Sequence, residues 1–132
     1  MTPRIVFVKL LALFFFAVIL AILCRPARAP WVYAAAHRPT SPRDRVYKAP
    51  LANVYDNGNT CPGNHHYPNN IAEIPDSFFK SFFTAGADIH GRSNKYPHNI
   101  CLLWKALDKK KEFPMEDLVY HGTVADLMQE RL

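Results

Sequence analysis

The residue of this chain best placed for covalent chemistry is a cysteine at the exit of a tight turn, in Asn53-Val54-Tyr55-Asp56-Asn57-Gly58-Asn59-Thr60-Cys61-Pro62-Gly63. Val54 and Tyr55 favour strand. Asp56-Asn57-Gly58 supplies residues that reach positive φ cheaply, so the chain is expected to reverse there and leave near Thr60. Pro62 has no backbone donor and Gly63 permits close approach, which opens the sulfur to an incoming group. As a thiolate, Cys61 would be a nucleophile for acyl transfer. The same position also suits a buried structural cysteine, and the turn alone does not separate the two.

The groups that could assist Cys61 are histidines and amides. His65, His66 and His90 can lower the thiol pKa or act as a base, and Asn59, Asn64 or a backbone N–H of the turn can donate to an oxyanion. A rival reading takes Cys61 with His65, and His98 with Cys101, as two thiols and two imidazoles in ligand-like spacing for a structural zinc ion. Against it, Cys101 stands beside Leu102 and Leu103 on what reads as the apolar face of a helix, where a core cysteine is the simpler account. The sequence has no phosphate-binding glycine loop, paired catalytic carboxylates or serine triad, which argues against a nucleotide enzyme or hydrolase; no cofactor is expected.

The elements that must position these groups follow from pattern. Val46 to Tyr55, interrupted by Pro50, reads as an edge or bent strand entering the turn. Pro75-Asp76-Ser77 opens a helix, with Asp76 or Ser77 as cap and Phe78, Phe79, Phe82 and Phe83 on one core stripe. Ile100, Leu103, Trp104 and Leu107 repeat at helical spacing, Phe113-Pro114 ends that helix, and Gly122-Thr123 caps a last one carrying Val124, Leu127, Met128 and Leu132.

At 132 residues the chain has room for one domain. From Leu10 to Cys24 it carries no polar residue but the cysteine, and Ile5 to Leu23 is long enough to span a bilayer if Lys9 snorkels. Residues 1–25 therefore read as a signal peptide or signal anchor, 26–45 as a linker with Trp31-Val32-Tyr33 as one short strand, and 46–132 as the domain. Pro30 after Ala27-Arg28-Ala29 disfavours cleavage, and the flanking positive residues weigh toward an inner-membrane protein with a cytoplasmic domain. Cys61 and Cys101 in that domain fit a reducing compartment. The net charge of +5 comes largely from the flanks of the apolar segment and from Lys109-Lys110-Lys111, read as a solvated last helical turn. No nucleic-acid partner is implied.

Several segments then carry a resemblance. Arg38-Pro39-Thr40, Val46-Tyr47-Lys48-Ala49-Pro50-Leu51-Ala52-Asn53-Val54-Tyr55-Asp56-Asn57-Gly58, Cys61-Pro62-Gly63, Phe78-Phe79-Lys80-Ser81-Phe82-Phe83-Thr84, Leu103-Trp104-Lys105-Ala106-Leu107 and Phe113-Pro114-Met115-Glu116-Asp117-Leu118-Val119 occur in order. From about Arg38 to Leu132 the chain resembles the prokaryotic ubiquitin-conjugating family D (PRTRC system protein B). The resemblance implies an α+β, partial ubiquitin-conjugating-like fold of short antiparallel strands followed by helices, here preceded by an N-terminal hydrophobic helix. It also implies Cys61 as acceptor of a ubiquitin-like protein in thioester linkage, with that protein and a ThiF-like activating enzyme as partners. The chain departs from the family in two places. The apolar segment stands where upstream sheet strands belong, and Phe83-Thr84 is followed by Ala85 rather than histidine, leaving His90 the nearest to take its place. A non-catalytic membrane-anchored adaptor is the alternative to the thioester carrier.

Overall fold

The described parts of the longest apolar stretch of the chain fold as strand. In the computed structural model, which describes residues 4–12, 16–61, 64–81, 90–107 and 113–131, with side chains from Val18 onward, strands Arg4–Ala12 (β1) and Phe16–Cys24 (β2) pair antiparallel from Arg4 opposite Cys24 to Ala12 opposite Phe16. The expected N-terminal hydrophobic helix is thus corrected to two strands. No helix among the described residues is long and apolar enough to cross a membrane. The cause of the misreading is visible in β2. Its Leu20, Ile22 and Cys24 enter one core and its Ala21 and Leu23 another. A strand covered on both faces needs no polar alternation, so its sequence is the same unbroken apolar run that a membrane helix would show.

Trp31–Ala35 (β3), Arg45–Lys48 (β4) and Tyr120–Thr123 (β5) complete a five-stranded sheet in the order β1-β2-β3-β4-β5. Strands β2 to β5 form a four-stranded antiparallel sheet, with β1 along its edge. The apolar segment and Trp31-Val32-Tyr33 therefore supply sheet strands upstream of the hairpin. Of the two readings of this segment, an edge strand or a bent one, the edge placement is corrected, because β5 returns from the far end of the chain to pair with β4. Four residues, Tyr-His-Gly-Thr, with a glycine among them give no periodic signal, and β5 has no counterpart in the sequence reading.

One face of the sheet packs against helices Ile74–Ser81 (α1) and Ile100–Leu107 (α2). Val18, Leu20, Ile22, Val32 and Ala34 meet Ile74, Phe78, Ile100, Leu103 and Leu107 there. The other face packs against helix Val124–Arg131 (α3), where Ala21, Leu23, Tyr33 and Val46 meet Leu127. Helix α1 starts earlier than expected. Asn70 caps a 3-10 turn, Ile71–Glu73, by accepting from Ala72 N at 3.1 Å, and that turn runs into α1, so Asp76 and Ser77 lie inside the helix. Phe78 is buried and Phe79 half-buried, while Phe82 and Phe83 fall outside the described residues, as do Lys109, Lys110, Lys111 and Leu132. The Ile100, Leu103 and Leu107 stripe of α2 is buried as its spacing requires, and Trp104 is anchored by its Nε1 donating to Pro50 O at 2.6 Å. At α3, Thr123 N donates to Asp126 Oδ2 at 2.9 Å and Asp126 N to Thr123 Oγ1 at 3.2 Å, a reciprocal cap. Leu127 is buried there, but Met128 is exposed.

Candidate active site

The turn forms where its residues require it. Val54 and Thr60 bridge antiparallel, Tyr55 N donates to Asn59 O at 2.6 Å and Gly58 N to Tyr55 O at 2.9 Å. Gly58 has a φ of 92°, open to glycine, and a Cβ at that position would overlap the Tyr33 ring. The sheet grips the tip. Tyr33 OH donates to Asn57 O at 2.9 Å, Arg131 Nη2 to the same oxygen at 2.6 Å, and Val32 N to Gly58 O at 2.8 Å, while Trp31 bridges Asn59. On the other flank Lys48 Nζ reaches Asp56 O at 3.0 Å and Asp56 Oδ1 at 2.8 Å. A reactive group on this hairpin stands on a fixed support.

Cys61 leaves the hairpin with its N–H donating to Asn53 O at 2.9 Å, and its side chain is half-buried. Val54 and Thr60 are buried at 0% and 5% exposure, and Asn53 and Cys61 are the next pair along the ribbon, joined by that backbone bond. Asn53 is 1% exposed, and neither its Oδ1 nor its Nδ2 has a hydrogen-bond partner among the described residues. A buried amide in that condition costs stability and calls for an explanation. Its backbone is bonded to that of half-exposed Cys61, and an amide N–H beside a thiol can serve a negative oxygen forming next to sulfur.

Tyr67 closes the site from the α1 side. Burial pushes its phenol pKa up, and the neighbouring Cys61 charge pushes in the same direction, against a hydrogen bond with Ser81. Ser81 Oγ donates to Phe78 O at 2.6 Å, so the Tyr67 hydroxyl is the donor in its 3.1 Å contact with Ser81 Oγ. His65 stacks edge-on against Tyr67 at 4.8 Å between ring centroids, and its Nε2 is 2.7 Å from Ser77 Oγ. His66 and Asn64 are exposed, and Asn59 is half-buried.

His90 is exposed, its ring 6.4 Å from that of His98. Its loop is tied to the hairpin, because buried Arg92 donates through Nη1 to Val54 O, and a Cβ on Gly91 would stand 3.3 Å from Asp56 Oδ1. Pro62, Gly63, Thr84 and Ala85 lie outside the described residues. Cys101 is exposed, which corrects its reading as a core cysteine: the turn of α2 that buries Ile100 and Leu103 carries Cys101 and Leu102 outward. Among the described residues no three His, Cys, Asp or Glu side chains gather as a metal ion would need, so the zinc arrangement is not assembled. A shallow cavity of about 400 Å³ between β5 and α3 is lined by His121, Asp126, Gln129 and Glu130 and holds no nucleophile.

Sequence reasoning missed Asn53, Tyr67, Ser77 and Ser81. Asn53 had a usable signal: with Asp56-Asn57-Gly58 at the tip, pairing Val54 with Thr60 places Asn53 opposite Cys61.

Compared with known families, residues 20–121 match the family described as prokaryotic E2 family D. The matched region begins within β2 and ends within β5, so it encloses the hairpin, Cys61, Tyr67, α1 and α2. No curated protein and no solved structure matches the chain.

Proposed function

The chain belongs to prokaryotic E2 family D, and from that membership we propose that it carries a ubiquitin-like protein as a thioester on Cys61. The observation that carries this reading is the pairing of a half-exposed thiol with a buried, unpartnered amide on one rigid hairpin, Cys61 opposite Asn53.

The chemistry takes two steps. Cys61 Sγ, as thiolate, attacks the carbonyl carbon of the ubiquitin-like protein's C-terminus, held as a thioester on a ThiF-like activating enzyme. A C–S bond forms, the bond to the enzyme's sulfur breaks, and that sulfur leaves as thiolate. An acceptor amine then attacks the new thioester carbon, loses a proton and expels the Cys61 thiolate, leaving an amide. In both tetrahedral intermediates the carbonyl oxygen bears negative charge, and Asn53 Nδ2 is the donor for it. The proton leaves through an imidazole. His90, on the loop docked to the hairpin, is one candidate base, and His65, packed on Tyr67 and bonded to Ser77, is the other. A place beside a ThiF-like enzyme in a PRTRC-type cassette fits this reading.

The test is mass spectrometry of the full chain incubated with the activating enzyme, the ubiquitin-like protein and ATP. A thiol-labile adduct of the partner's mass less one water, absent from Cys61→Ala, is the expected result. A folded chain that acquires no adduct would instead be a non-catalytic adaptor on the same fold.

A further inference from the structure

We propose that Arg25 and Arg131, which cover Trp31, form with neighbouring Arg28 a docking site for an acidic segment of a protein partner. Arg25 and Arg131 cover the indole, their guanidinium carbons 3.7 and 4.7 Å from its ring centroid. Two like charges are held against one side chain although they repel. Burial lowers the Arg25 pKa, and the charges of Arg28 and Arg131 lower it further.

Among the described residues no carboxylate relieves this repulsion. Among the described residues the ion pairs and close His–carboxylate contacts are Lys48 with Asp56 and His121 with Glu130, and none of the three arginines takes part. Glu130, next to Arg131 in sequence, has its Oε2 3.2 Å from His121 Nε2. Arg25 Nε is buried with no acceptor, and Arg25 Nη2 makes only a long contact of 3.4 Å with Ala29 O. Half-buried Arg25 and exposed Arg28 leave outward guanidinium N–H groups that an incoming carboxylate would satisfy.

The site is also fixed in place. Arg25 and Arg28 sit on the β2–β3 connection, where Arg28 N approaches Arg25 O at 3.4 Å, Ala27 N donates to Pro68 O at 2.9 Å, and Ala27 takes a φ of 57°. A non-glycine residue holds that conformation only where its surroundings impose it. Arg131 is set by its bonds to Tyr33 OH at 3.0 Å and Asn57 O at 2.6 Å.

Protein carboxylates fit this surface better than nucleic acid does. Trp31 is already covered by guanidinium groups, so it is a poor platform for a stacking base, and three clustered arginines do not make the extended basic track that a phosphate backbone follows. Planar guanidiniums match carboxylates with two parallel N–H···O bonds. Trp31 bridges Asn59 and Arg131 holds Asn57, so an acidic segment docked here lies along the flank of the hairpin that ends in Cys61. The inference does not depend on thioester chemistry, since binding is measured without an activating enzyme.

The experiment is fluorescence anisotropy of the full chain with labelled hexaglutamate and, separately, a labelled thymidine hexanucleotide at low salt. Hexaglutamate should bind, and Arg25→Gln should weaken it about tenfold and Arg28→Gln about threefold. Arg25→Lys should recover little, while Arg43→Gln, exposed on another loop, should leave binding unchanged. Exposed Arg28 decides the matter should Arg25→Gln fail to fold. No hexaglutamate binding, equal weakening by Arg43→Gln, or tighter binding of the hexanucleotide would each overturn the proposal.

Discussion

Asn53 and Gly58 sit on the same hairpin and answer to different demands, one chemical and one conformational. Asn53→Ala removes a buried amide with no partner among the described residues, so the unfolding free energy should change by no more than about 1 kcal/mol. Discharge of the thioester to an amine should slow about a hundredfold in single-turnover assays. A large stability loss with unchanged discharge would make Asn53 a purely structural residue. Gly58→Ala should do the reverse, costing about 2 kcal/mol or more in denaturant unfolding, because its φ of 92° and the Tyr33 ring both exclude a Cβ. The two residues also differ in legibility. Asp56-Asn57-Gly58 announces positive φ by residue type alone, whereas nothing in a single sequence marks an asparagine as buried and unpartnered. Cys101 was misplaced for a related reason. Helical spacing identifies the stripe of Ile100, Leu103 and Leu107, and a residue next to the stripe can fall on either side of its edge.

Among the elements, β2 and α3 separate what packs from what is held at the surface. Ile22 is fully buried between the sheet and its helices, and Ile22→Ala should cost about 2–5 kcal/mol in equilibrium unfolding. A membrane anchor would show no such coupling to the fold. Helix α3 depends on a charge instead. Backbone hydrogen bonding from Thr123 holds the Asp126 carboxyl below its ordinary value of 3.8. A folded value below the unfolded one means that the cap contributes fully above that ordinary value and is lost as the pH falls through the folded value. The wild-type melting temperature should therefore decline on acidification below about pH 4, and Asp126→Asn should decline less over the same range. Some dependence remains in the variant, because backbone bonds from Thr40 and Ser41 lower Asp44 in the same sense. Helix α2 was readable because Ile100, Leu103 and Leu107 recur at helical spacing. Strand β2 has apolar residues on both faces, and β5 is too short to show a period.

For the whole molecule, the sheet makes the N-terminal segment and the cysteine hairpin parts of one packed body. Strand β3, which bridges the hairpin through Trp31, is itself paired with β2 from Ile19 opposite Ala35 to Leu23 opposite Trp31. A chain starting at Arg38 lacks β1, β2 and β3, and should show neither a cooperative thermal transition nor a near-ultraviolet circular dichroism signal. A fragment that melts cooperatively would restore the division into anchor and separate domain. The three free cysteines occupy three depths of this body: Cys24 in the core, Cys61 at the half-exposed hairpin exit and Cys101 on the open side of α2. Timed alkylation of the native protein therefore contains its own clock. Exposed Cys101 should modify without waiting for any opening, and Cys24 only as often as the sheet opens. Any excess of Cys61 over Cys101 is then reactivity conferred by the site, read from one sample with no mutant and no partner.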